Sequence, residues 1–176
     1  MTTSMGGNVF RTKMTLGLTI GLVTVAVMLS GGASAQASAT CTWGGTPATP
    51  TGTFTLDPGV TNTPSTGPID FKATGDLAGG GICTGKLVYD GVFDTGASCL
   101  TATFHVKVKG LPGVVRAAGT ADNLVPAPAL LYDAKGNVVG TEIAQIVTTD
   151  NAPNYTDCTT PEGFTWGTFS SVVELF

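Results

Sequence analysis

Beyond residue 36, glycine and proline recur so often that no stretch keeps apolar residues at i, i+3, i+4 and i+7 for three helical turns without meeting one of them. Glycine weakens a helix through backbone entropy, and proline lacks the N–H and clashes with the preceding turn. Helix is therefore disfavoured over nearly the whole of this region. Between the breaks the chain is dominated by Thr, Val and Phe, the side chains that suit a pleated, half-buried surface.

Period-two alternation then locates the strands. The clearest runs from Leu100 to Lys109, with Leu100, Ala102, Phe104, Val106 and Val108 on one face. Thr101, Thr103, His105, Lys107 and Lys109 occupy the other, which predicts an antiparallel strand with one wet side. Ile69 to Thr74 repeats the pattern, Thr53 to Leu56 is a shorter copy, and Cys83 to Phe93 places Cys83, Leu87, Tyr89 and Phe93 together. Ala129 to Tyr132 and Val138 to Ile143 flank a loop in which Gly136 supplies the positive φ of a bulged turn. Val114 to Ala118 and Ile143 to Val147 add two further strands. Phe164 to Phe176 is the last, and its alternation changes phase near Ser170-Ser171, where a β-bulge is expected. The fold class is all-β: an antiparallel sandwich of the Greek-key or Ig-like kind, or a small barrel of about eight strands.

The first 35 residues read as an export leader. Arg11 and Lys13 precede the apolar stretch Met14 to Leu29, and Ala33-Ser34-Ala35 forms a small-residue cleavage site ahead of Gln36. Residues 36–176 then form a single secreted β-domain, with no membrane association once the leader is cleaved. A retained anchor competes with this reading, but the apolar stretch is shorter than the roughly 20 residues that span a bilayer. Removing Arg11 and Lys13 leaves six basic against twelve acidic residues. That balance disfavours nucleic acid and anionic membrane surfaces, which are bound through clustered Lys and Arg.

Cys41, Cys83, Cys99 and Cys158 all lie in the exported portion. An even number of cysteines in an oxidising compartment implies two disulfides, and four permit three pairings. The preferred pairing is Cys41 with Cys83 and Cys99 with Cys158, because each bond closes a long loop. No C-x-x-C pair exists and His105 is the single histidine, so no zinc site is expected.

The catalytic inventory is short. His105 shares its strand face with Thr and Lys, which suits a solvated position better than a general base. There is no G-x-S-x-G elbow, since Gly167-Thr168-Phe169-Ser170-Ser171 lacks the second glycine. Asp57, Asp70, Asp76, Asp90 and Asp94 stand beside turn formers that use aspartate locally, although a pair of them meeting across a cleft would permit glycoside hydrolysis. Asp150, Asn151, Asn154 and Asp157 form an oxygen-rich loop without the spacing of an EF-hand, and Asn154-Tyr155-Thr156 matches a glycosylation sequon. Trp43 and Trp166 are read as core partners where the terminal strands meet, with a sugar-binding surface as the alternative. No catalytic residue, cofactor site or metal site is assigned.

Cys41-Thr42-Trp43-Gly44, Leu56-Asp57-Pro58-Gly59-Val60-Thr61, Gly75-Asp76-Leu77 ahead of Cys83, and Gly96-Ala97-Ser98-Cys99 cover roughly the first half of the exported portion. In these cysteine and glycine placements the chain resembles small Gly/Thr-rich secreted β-proteins of actinobacteria, a group of unknown function. The resemblance implies a disulfide-stapled all-β domain and assigns no site residues.

Two functional readings follow. The first is a non-catalytic extracellular domain, structural or binding, that offers strand faces and loops to an unidentified partner outside the cell. The second is a small-ligand carrier whose barrel interior is lined by Phe54, Phe71, Leu87, Tyr89, Phe104 and Trp166. A carboxylate-dependent hydrolase ranks third. Interior volume separates the first two.

Overall fold

The computed structural model describes residues 38–176 except 124, 127 and 148–155. The predicted leader, Gln36 and the sequon asparagine lie outside the described residues, as do Asp150, Asn151 and Asn154 of the oxygen-rich loop.

In chain order the strands are β1 (Ala39–Trp43), β2 (Gly45–Thr46), β3 (Thr49–Pro50), β4 (Gly52–Val60), β5 (Ile69–Ala78) and β6 (Lys86–Phe93). They continue as β7 (Thr101–Lys109), β8 (Arg116–Asp122), β9 (Val125–Pro126), β10 (Ala129–Tyr132), β11 (Val138–Val147) and β12 (Phe164–Leu175). The path β4-β5-β6-β7-β8-β10-β11-β12 is antiparallel at every step, and β12 pairs back onto β4. This is a closed, up-and-down barrel of eight strands. The sandwich alternative is thereby corrected: pairing the last strand with the first removes the edges that two facing sheets would retain.

The closing seam uses two pieces of chain as one strand. β1 pairs with the C-terminal half of β12 (Trp43 opposite Ser171), and β4 takes over on the N-terminal half (Gly52 opposite Phe169). The same hand-over occurs against β5, where β1 faces Leu77 and Ala78 while β4 faces Asp70 to Thr74. Between them β2 and β3 leave the wall as a small hairpin that packs on β12, where the outward-facing Ser170 is buried. The Gly44 carbonyl accepts both Thr51 N–H (2.7 Å) and Gly52 N–H (3.0 Å), pinching the excursion closed. Gly44 adopts φ +74°, and a Cβ there would stand 2.7 Å from Gly52 Cα. A left-handed backbone and a close crossing both require glycine at this position.

Inward positions on β4 to β7 follow one parity, as the alternation predicts. Ala102, Phe104, Val106 and Val108 of β7 are buried, while Thr101, Thr103, His105, Lys107 and Lys109 face solvent. One end of the barrel is filled by Leu77, Leu87, Val108, Leu131, Val173 and Leu175. Burying each such side chain stabilises the fold by about 1.5–3 kcal/mol.

Several expected boundaries move. Leu100 is 56% exposed and precedes β7, because Ser98 caps the turn there by accepting the N–H groups of Leu100 and Thr101. The expected strand Val114 to Ala118 begins instead at Arg116, after a turn in which Val114 N–H bonds to the Leu111 carbonyl. Cys83 precedes β6 and bridges back to Gly80, and the two strands expected on either side of Ile143 are the single β11. The irregularity of β12 lies at Phe164 to Trp166 and not at Ser170-Ser171. Past that point Gly167, Phe169, Ser171, Val173 and Leu175 all lie on the inner face. The apparent phase change arises because Ser171 is a hydroxyl inside the core.

The disulfides are Cys41–Cys83 and Cys99–Cys158, the pairing favoured on loop length. The first lies at the filled end, joining β1 to the β5–β6 connection. The second lies at the other end, where Cys99 N–H bonds to the Thr61 carbonyl and Asn62 N–H to the Cys158 carbonyl.

The seam supplies a test of the fold. A Cβ on inward-facing Gly75 would lie 2.9 Å from Gly44 Cα and 3.0 Å from Trp43 Nε1, and the backbone has no room to yield. Gly75→Ala is expected to destabilise the domain by about 1–3 kcal/mol through overpacking, measured by chemical denaturation with the disulfides intact. A change of less than about 0.5 kcal/mol, the size of an ordinary surface substitution, would show that the crossing is not tight.

Candidate functional site

The end of the barrel opposite the filled core contains a cavity of about 80 Å³. Its wall is almost wholly apolar, because inward parity on successive strands presents mainly aromatic and aliphatic side chains. Phe71, Phe93 and Phe104 form a contiguous set toward the opening, with ring centroids 5.0 to 6.0 Å apart. Phe71, Phe93 and Ile146 are only half-buried and mark the end through which solvent reaches the lining. Deeper, Trp43 packs against both Tyr89 and Phe169 with centroids at 4.5 Å, and its indole N–H donates to the Leu87 carbonyl at 3.2 Å.

A few buried polar side chains line or back this apolar chamber. Glu142 projects inward from β11 and is 4% exposed. Its Oε1 accepts a hydrogen bond from the hydroxyl of Ser171, itself buried on β12. Burial pushes the Glu142 carboxyl up to about 7, with the Ser171 hydrogen bond opposing the rise. Tyr89, from β6, is 2% exposed, and its hydroxyl has no hydrogen-bond partner among the described residues. Burial first, and then the Glu142 charge, raise the Tyr89 phenol well above its usual range. The Glu142 charge is therefore felt by Tyr89 across one chamber. Ser98, near the mouth, adds a further buried polar side chain to the lining.

Of the interior residues expected from the sequence, Phe54, Phe71, Tyr89 and Phe104 line the cavity, and Leu87 lies buried beyond it. Trp166 does not. It is 53% exposed at the β12 irregularity, where it and Thr165 both turn outward, and Trp43 occupies the interior in its place. The two tryptophans consequently form no shared core layer. Glu142 and Ser171 are the site residues that sequence reasoning missed. The inward set Gly140, Glu142, Ala144 and Ile146 carries the signal, but Ile143 on the opposite parity masks it, and Ile143 is 51% exposed.

The other candidates lie on the outer surface. His105 faces outward with its Nε2 3.2 Å from Asp94 Oδ2, both side chains about half exposed. Asp57 and Asp70 stand directly opposite one another on β4 and β5, exposed on the convex face. Asp76 is likewise exposed, and Asp90 pairs in register with Lys72 and Lys107. Asp157 opens a short 3-10 turn, Asp157–Thr159, in which Cys158 is buried.

Comparison of the chain with protein-family models, with curated proteins and with solved structures gives no match.

The buried carboxyl makes stability depend on pH in a definite direction. An unfolded glutamate titrates near 4.5 and the folded one near 7, so between these values the native state holds the extra proton. Stability must therefore fall as pH rises through this window, by about 3 kcal/mol in total, and level off above it. Glu142→Gln keeps the shape and removes the titration. The variant is expected to gain on wild type progressively from pH 4.5 to pH 7 in urea denaturation. Parallel pH profiles for the two proteins would mean that Glu142 is hydrated and not enclosed.

Proposed function

We propose that this protein is an exported, non-catalytic binding domain that holds a small apolar molecule inside its barrel. The observation that carries the reading is the chamber itself: a cavity in a closed barrel, walled by aromatic rings and opening at one end. Eight-stranded barrels are of the size at which the interior is either just filled or holds one small ligand. At about 80 Å³ the space is well below the volumes that receive drug-sized compounds, so the guest is small.

Energetics support the same reading. A void of this size forgoes about 2 kcal/mol of packing that larger side chains would recover. Alanines at 73, 102, 121 and 144 line it where bulkier residues would close it. Two disulfides hold both ends of the barrel, which suits the oxidising environment outside a cell and keeps the wall intact around a partly empty centre.

A second reading keeps the domain as a docking surface for an extracellular partner. It draws on the outer face of β10 to β12, where Leu130, Ile143 and Val172 are exposed, Ile143 and Val172 being cross-strand neighbours. The chamber plays no part in that reading.

Xenon separates the two, because it enters dry apolar cavities without needing any polar contact. Under xenon pressure, the methyl NMR signals of Leu56, Val60, Ala73 and Ile146 are expected to shift together while those of Leu130 and Val172 stay in place. Ala144→Phe, which fills the chamber from β11, should abolish the shifts. Interior signals that ignore xenon would remove the carrier reading and leave the outer face as the working surface.

A further inference from the structure

The chamber is apolar almost everywhere, and its few polar groups are placed in an unusual way. Tyr89 brings a phenol donor that is buried without an acceptor. Glu142 brings a carboxyl in which one oxygen is engaged by Ser171. Trp43, by contrast, has its indole N–H satisfied by a backbone carbonyl, so its polar end makes no demand on a guest. Leaving a buried hydroxyl unpartnered is costly, and a phenylalanine at 89 would preserve the ring contact with Trp43 without that cost.

We propose that the guest is a neutral molecule with a slender apolar body and a single hydroxyl group, which accepts a hydrogen bond from Tyr89 and donates one to Glu142. The inference rests on the carrier reading and specifies the chemistry of its ligand. A hydroxyl is the smallest group that both accepts and donates, so one such group answers both walls of the chamber. A hydrocarbon leaves both unanswered. An ammonium has no lone pair with which to accept from Tyr89, and it must shed its hydration in a chamber where Glu142 is the only carboxyl among the described lining residues. For an ion the cost of that transfer is recovered only with complete partnering. The rings around the chamber exclude competing water and hold the body of the guest, while Tyr89 and Glu142 select its polar end.

Three probes of nearly equal size test this: 1-butanol, n-pentane and n-butylamine. Each is titrated into the intact, oxidised protein at pH 8, where Glu142 is ionised and a cationic rival has its best chance. The readout is the indole N–H NMR signal of Trp43, with the exposed Trp166 indole as an internal control. Butanol is expected to bind about tenfold more tightly than pentane, the combined size of two modest buried hydrogen bonds. Tyr89→Phe should cut the preference for butanol over pentane several-fold, the Glu142 hydrogen bond remaining, while leaving pentane binding unchanged. Equal binding of butanol and pentane to wild type, or an undiminished preference in Tyr89→Phe, overturns the inference while the carrier reading survives. Preference for butylamine overturns it in favour of a cationic ligand. Failure of all three probes, with no xenon response, removes the carrier reading itself.

Discussion

Closure of the wall between the first and last strands is the constraint on which everything else depends. β12 pairs with β11 along one side and with β1 and β4 along the other, so the sheet closes on itself and the last strand is not an edge. The closure needs two pieces of chain, β1 and β4, to act as one strand, and the crossing of Gly44 over Gly52 and Gly75 makes that possible. Once the ring is shut, inward parity on eight strands converges on one axis. A chamber at that axis is a consequence of strand number and of the small residues placed around it.

Glycine serves the same geometry in a second way. Inward-facing Gly52, Gly119 and Gly167 lie directly beneath the rings of Phe169, Phe104 and Phe54, where a Cβ would approach within 2.7 to 2.8 Å. Strand glycines weaken a sheet when nothing covers them, and an aromatic ring laid over each restores the lost contact. The barrel thereby accommodates more aromatic surface than its radius would otherwise allow. This accounts for the coexistence of a glycine-rich sequence with a core rich in phenylalanine.

Against that apolar interior, the Tyr89 hydroxyl breaks the rule that buried polar groups be satisfied, and beside it Glu142 and Ser171 bury a carboxyl and a hydroxyl that answer each other. Local rules are broken in natural proteins chiefly where function asks for it, and the surrounding structure absorbs the cost. Here the absorbing structure is the closed sheet with a disulfide at either end. The exposed carboxylates and His105 stand in no such environment. They sit on a convex face in contact with solvent.

Much of the fold was legible along the chain because alternation is a local property. Residues two apart share a face, so the wet and dry sides of β7 and the inward phenylalanines of β4 and β5 could be read directly. The cysteines pointed to crosslinking for an equally local reason, their even number and lack of metal spacing. What alternation cannot carry is pairing between distant strands, so barrel and sandwich were indistinguishable until β12 was seen to meet β4. The same limit hid the site. Glu142 and Ser171 each look like ordinary surface residues in their own strands, and Trp166 looks like core. Only the three-dimensional register turns the first two inward against each other, leaves Tyr89 beside them and rotates Trp166 out, because a side chain's partner is set by which strands become neighbours and not by its own sequence context.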